Sequence, residues 1–150
     1  MTTPHSPSAD DGKATMDATE MFGLVSRHLR AEGVGDVDGA VAVYTEDVVH
    51  DVVGFPGSPQ HGRSGAHAFY EYLTANFRFE RETVLHRYFA ADAMILEQQM
   101  TGTVIGELLG LPGHGRRITF RILHVFEFRD GLISRENVWL DSAAIVAQLS

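Results

Sequence analysis

The chain has 150 residues, 44% of them hydrophobic and 21% charged, which is the length and make-up of one globular domain rather than a disordered chain. Twelve basic side chains against 20 acidic ones give a formal charge of -8, so a phosphate backbone or an anionic membrane is a poor partner. Cysteine is absent, which removes disulfides, thiolate metal sites and cysteine nucleophiles; eight histidines are the one excess.

The first sixteen residues are rich in Pro, Ser, Thr and Asp, with neither a basic start nor an apolar centre. They read as a disordered leader (1–16) on a cytoplasmic protein, with one domain over 17–150. From Ala18 to Glu32, Met21, Phe22, Val25 and Leu29 recur at helical spacing, and His28 falls on the same stripe. Gly33 to Asp36 ends that helix. A short second helix follows, with Asp38 as its expected N-cap. The β-branched run Val48–Val53 predicts a strand, and GFPGSPQHG after it is turn chemistry. Ser64 is the expected cap of a third helix with the face Ala66, Phe69, Tyr70, Leu73 and Phe77.

Beyond Arg81 the period changes from helical to alternating. Thr83–Ala90, Met94–Ile105, Arg117–Arg129 and Leu132–Leu140 read as four strands, and Asp130-Gly131 is a strong hairpin signal. SAAIVAQL at the end suits a short helix or an edge strand. The expected fold is α+β: a cone-shaped roll of a curved, mostly antiparallel sheet packed against three N-terminal helices that enclose a pocket.

Alternation sorts the polar residues of that pocket. His124 lies in the middle of the face Ile118, Phe120, Ile122, Phe126 and Phe128, where burial favours a neutral ring. His28 is the polar member of a helical apolar stripe. His50 and Asp51 are adjacent on one strand and must face opposite ways. The carboxylate is taken as the pocket member, because an aspartate held by apolar walls becomes a usable base. Tyr44, Phe55, His61, Phe69 and Phe120 are the expected substrate contacts, with Asn137 and Trp139 on one face of the final strand beside them. No metal site is expected, since neighbouring strand residues chelate poorly. HExxH, Walker, dinucleotide and GxSxG motifs are missing.

The order helix–helix–strand–helix–sheet resembles the nuclear-transport-factor-2-like superfamily. Gly35 to Gly54 looks like the ketosteroid isomerase segment that ends in the aspartate general base, a position held by Asp51. Thr101 to Phe120, the DGLI turn and the closing VWLD…QL look like the SnoaL-type polyketide cyclases. The isomerases' oxyanion tyrosine and acid fall on His28 and His124, the cyclases' acid/base aspartate also falls on His124, and their pocket histidine is replaced by Val104. The resemblance implies a cofactor-independent enzyme acting through an enolate on an apolar ketone or polyketide-like molecule, as isomerase or cyclase. Asp51 would be the base, and His124, helped by His28 or Tyr44, the oxyanion donor. Epoxide hydrolase-type water addition and a non-catalytic binding or assembly domain are the alternatives, and a homodimer through the exposed sheet face is the implied assembly.

Overall fold

The computed structural model describes residues 15–150. Apart from Thr15 and Met16, the expected leader lies outside them. Helix α1 (Ala18–Gly33) starts at a reciprocal cap: Asp17 accepts from the Glu20 N–H at 2.8 Å, and Glu20 accepts from the Asp17 N–H at 3.1 Å. It buries Met21, Leu24, Val25 and His28. Gly35, at φ 74°, turns the chain out of the helix. Helix α2 (Val37–Val41) is capped by Asp36, which accepts from Gly39 N–H at 3.0 Å. The expected cap Asp38 lies inside the first turn and meets His67 at 2.9 Å instead.

Strand β1 (Tyr44–Val52) begins earlier than its β-branched run, because pairing draws Tyr44 into the sheet opposite Ile133. After β2 (Gln60–His61), helix α3 (Gly62–Asn76) starts ahead of Ser64. Its N-cap residue is His61, which makes no side-chain cap bond. The helix stops one residue before Phe77, which opens strand β3 (Phe77–Phe89). The Asn76 carbonyl accepts from Ile105 and Gly106 and ties that junction to the end of β4 (Ala93–Val104). A small hairpin, β5 (Glu107–Leu108) and β6 (Leu111–Pro112), occupies part of what reads in sequence as a plain loop. Strands β7 (Arg116–Arg129) and β8 (Leu132–Leu140) meet at the expected Asp130-Gly131 turn, and helix α4 (Ser142–Leu149) closes the chain.

The six-stranded sheet runs β2-β1-β8-β7-β4-β3, antiparallel except for the β1/β8 pair. The α+β expectation is met: a curved sheet packs against the N-terminal helices. One apolar cluster, around Met21, Val25, Tyr44, Tyr70, Leu96 and Phe126, joins helices to sheet. A second, around Val52, Phe77, Met100, Ile118 and Phe120, fills the opposite part of the cone. A cavity opens beside the second cluster.

Candidate active site

Strand β7 delivers what its alternation predicts: Ile118, Phe120, Ile122, His124, Phe126 and Phe128 are all buried. Strand β8 does not. Its parity from Ile133 would point Arg135, Asn137 and Trp139 inward. Glu127 pairs with Arg135 and Phe128 with Ile133, which leaves Ser134 as an extra residue and forms a β-bulge. Past the bulge the faces exchange. Glu136 and Val138 turn inward, while Asn137 and Trp139 turn out, with Trp139 52% exposed and its Nε1–H donating to Asn137 Oδ1 at 3.0 Å. The expected pocket roles of Asn137 and Trp139 are therefore corrected.

The parallel register pairs His50 with Glu136 and Asp51 with Asn137. His50 thus enters the cavity and Asp51 faces away. The Asp51 carboxylate accepts from Ser58 Oγ at 3.1 Å and lies 3.6 Å from Arg135, a set of polar partners that leaves no apolar wall against it. Of the two neighbours, the histidine is the pocket residue, so Asp51 is corrected as a pocket base. His61, at the exposed start of α3, is also away from the cavity. Tyr44 is fully buried below the cavity rather than on its wall. Phe55, Phe69, Phe120 and His124 do line it.

Glu136, which sequence reasoning passed over, is the centre of the polar floor. It is 1% exposed and accepts hydrogen bonds from Tyr44, by a very short contact, and from Tyr70 at 3.4 Å. Its Oε2 lies 3.3 Å from His28 Nε2, and its Oε1 lies 3.6 Å from His124 Nε2. His28 donates from Nδ1 to the Ala40 carbonyl at 2.7 Å. Burial disfavours a charge on His28, yet Glu136, Glu32 and that carbonyl outweigh it and push its pKa up to about 9. Burial likewise works against the Glu136 carboxylate, but His28, with His50 and His124, holds it well below the usual range. The two form a buried ion pair.

The other two histidines go the opposite way. Burial lowers the pKa of His124 to about 4, the His28 cation and His50 adding to it against the pull of Glu136. His50 is lowered chiefly by burial, again with His28 opposing its charge. Both are neutral at pH 7. Tyr44 and Tyr70, buried beside Glu136, are held in the phenol form. Glu32, four residues after His28 on α1, reaches the cavity wall; burial, with Glu136 and Glu82 nearby, raises it to about 7 against the pull of His28.

Neutral imidazoles have one donor and one acceptor nitrogen. Tyr70 Oη lies 3.1 Å from both His28 Nε2 and His50 Nε2. The His28 cation can only donate there, so the single Tyr70 hydroxyl proton is shared among Glu136 Oε2 at 3.4 Å, Tyr44 Oη at 3.1 Å and His50 Nε2 at 3.1 Å. In His124 the negative Glu136 favours the proton on the facing Nε2, so Nδ1 carries the lone pair. Both Nδ1 atoms are buried without a hydrogen-bond partner. Two neutral imidazoles, His50 and His124, thus line one cavity, within walls of Val52, Phe69, Leu73, Met100 and Phe120.

A curved sheet wrapped by helices around a cavity with a buried acid–base floor is the cone of the nuclear-transport-factor-2-like fold. The chain belongs to the SnoaL-like polyketide cyclase family, whose sequence model matches residues 25–149. A proposed polyketide cyclase from Xanthomonas campestris pv. campestris is 25% identical, with a TM-score of 0.75 over 88% of this chain and 98% of that one. Another from Silicibacter sp. TM1040 is also 25% identical, with a TM-score of 0.76 over 88% and 96%. An LEH-like epoxide hydrolase from Mycobacterium tuberculosis shares the fold at 23% identity, with a TM-score of 0.69 over 87% and 90%. No curated protein matches the chain significantly in sequence.

Proposed function

We propose that the chain is an acid–base enzyme that removes a proton from the carbon beside a carbonyl of an apolar small molecule, then returns it or closes a ring. The observation that supports this is the pair of neutral imidazoles, His124 and His50, lining one cavity, each with a buried Nδ1 that has no hydrogen-bond partner. His124 Nδ1 accepts the proton, and Glu136, on the far side of the ring, stabilises the imidazolium that forms. His50 Nδ1–H donates to the oxygen as it becomes an enolate. That tautomer requires the Tyr70 hydroxyl to donate to His50 Nε2 rather than to Glu136 or Tyr44. A positioned base contributes about 10²–10⁴-fold, and a positioned oxyanion donor about 10²–10³-fold. Asp51 has no part in this scheme.

The test is exchange of α-hydrogens for deuterium in a panel of apolar ketones, followed by NMR. His124→Gln is expected to slow exchange by about 10²-fold or more while its melting temperature shows a folded protein. Exchange at the wild-type rate in that variant overturns the base assignment. The family resemblance supports a homodimer as well, formed on the outer face of the sheet.

A further inference from the structure

The cavity that holds the two histidines is small. Its volume is about 50 Å³, whereas a void of about 150 Å³ is what holds a benzene ring and ligand sites commonly span about 300–1,000 Å³. It accommodates a carbonyl and its neighbouring carbons, and little more. Phe55 and Phe69, packed edge to face at 5.5 Å, line this cavity and also a second cleft of about 370 Å³ on their other side. The cleft is walled by Pro56, Gln60, Tyr72, Glu107, Leu109 and Gly110. Adjacent residues of one hairpin serve the two spaces, with Leu108 in the inner wall and Leu109 in the outer.

Leu109 holds its place at a conformational cost. It and Gly110 are the two central residues between the pairs Leu108–Leu111 and Glu107–Pro112, with φ of 52° and 76°. A two-residue turn with both φ positive prefers Asn-Gly or Asp-Gly, as the other hairpin of this chain shows at Asp130-Gly131. Leucine in the left-handed region is strained. The turn itself gains nothing from a leucine; the side chain packs against the second apolar cluster and walls the cleft.

Resting on the placement of the reacting carbonyl in the inner cavity, we propose that the substrate is elongated. Its carbonyl end enters the inner cavity as Phe55 and Phe69, the rings that divide the two spaces, part to admit it; its apolar middle lies on Leu109, and its far end carries a hydrogen-bond donor. The chemistry of the outer end points to a donor. One N–H of the Gln60 amide is committed to the Gly57 carbonyl at 2.8 Å, leaving the other N–H and Oε1. The Tyr72 hydroxyl proton is directed at Glu107 Oε1 at 3.3 Å. Apart from that one Gln60 N–H, the side chains there offer acceptors and the negative charge of Glu107, which suit a hydroxyl or an amine and repel a carboxylate.

The experiment is a set of binding titrations by ligand-observed NMR with butan-2-one, octan-2-one, 8-hydroxyoctan-2-one and 7-oxooctanoic acid. The wild type is expected to bind octan-2-one at least tenfold more tightly than butan-2-one. Leu109→Asn, whose new residue suits the turn and keeps the fold, is expected to cut that ratio to about threefold or less. The hydroxy ketone is expected to bind about tenfold more tightly than the keto acid, with Glu107→Gln removing most of that preference. A length ratio that survives in Leu109→Asn overturns the outer subsite. A keto acid bound as well as the hydroxy ketone by the wild type, or a preference untouched by Glu107→Gln, overturns the donor assignment. Because these are affinities, they stand or fall separately from deuterium exchange: loss of exchange chemistry with the length ratio intact leaves the subsite and removes only the reaction.

Discussion

Glu136 carries a negative charge into the interior, where an unpaired carboxylate would take up a proton to escape the cost of desolvation. His28 prevents that, and each holds the other ionised. Removing one partner strands the other, so Glu136→Gln is expected to destabilise the protein by about 3–5 kcal/mol in denaturant unfolding. The pair also sets a pH dependence. His28 ordinarily titrates near 6.5 and in the fold near 9, so between those values the folded chain binds more protons than the unfolded one. Its contribution is complete below pH 6.5 and fades as the pH rises through 9, a loss of roughly 3 kcal/mol. Thermal melts from pH 7.5 to 9.5 are expected to show the wild type losing several degrees. His28→Gln should start lower and decline less.

At the scale of elements, a single extra residue in β8 decides which side chains the site receives. Without the Ser134 bulge, Asn137 and Trp139 would face the cavity and Glu136 would face solvent. Strict alternation is legible for β7, where the apolar residues mark both faces, but a bulge leaves no comparable mark in ISRENVWL. The choice between His50 and Asp51 fails for a related reason, since it depends on register with a neighbouring strand. Gly102 shows how closely β3 and β4 are set. A Cβ there would lie 2.2 Å from the Phe77 ring and 2.6 Å from the Arg78 carbonyl, and the second is backbone that can yield only by moving the strand. Gly102→Ala is expected to cost about 1–3 kcal/mol of unfolding free energy. Ketone affinity should fall as well, because Phe77 lines the cavity.

Across the whole molecule, apolar and polar work are divided between the two faces of one sheet. The inner face holds the histidines and the cavity. The outer face presents Tyr88, Ile95 and Trp139 at 57, 37 and 52% exposure, among ion pairs such as Arg121–Glu97 and Arg135–Glu127. An exposed apolar group rimmed by charge suits a partner surface. If two copies meet there, sedimentation velocity is expected to find a dimer for the wild type and a monomer for Trp139→Glu. A monomeric wild type at tens of micromolar removes that assembly.

Local chemistry alone determined the order of the three N-terminal helices and the long strands, the inward histidine of β7, the Asp130-Gly131 turn and the apolar walls, because each depends on neighbours within a few positions of the chain. Tertiary structure decided the rest. Glu136 sits 108 residues beyond His28 in the chain, and only the parallel pairing of β1 with β8 and the bulge in β8 bring His28, His50, Glu136 and His124 around one floor. The protonation of the histidines was decided there too. Three imidazoles with the same intrinsic chemistry become one cation and two neutral rings: Glu136, Glu32 and the Ala40 carbonyl together outweigh burial at His28, whereas burial prevails at His50 and His124.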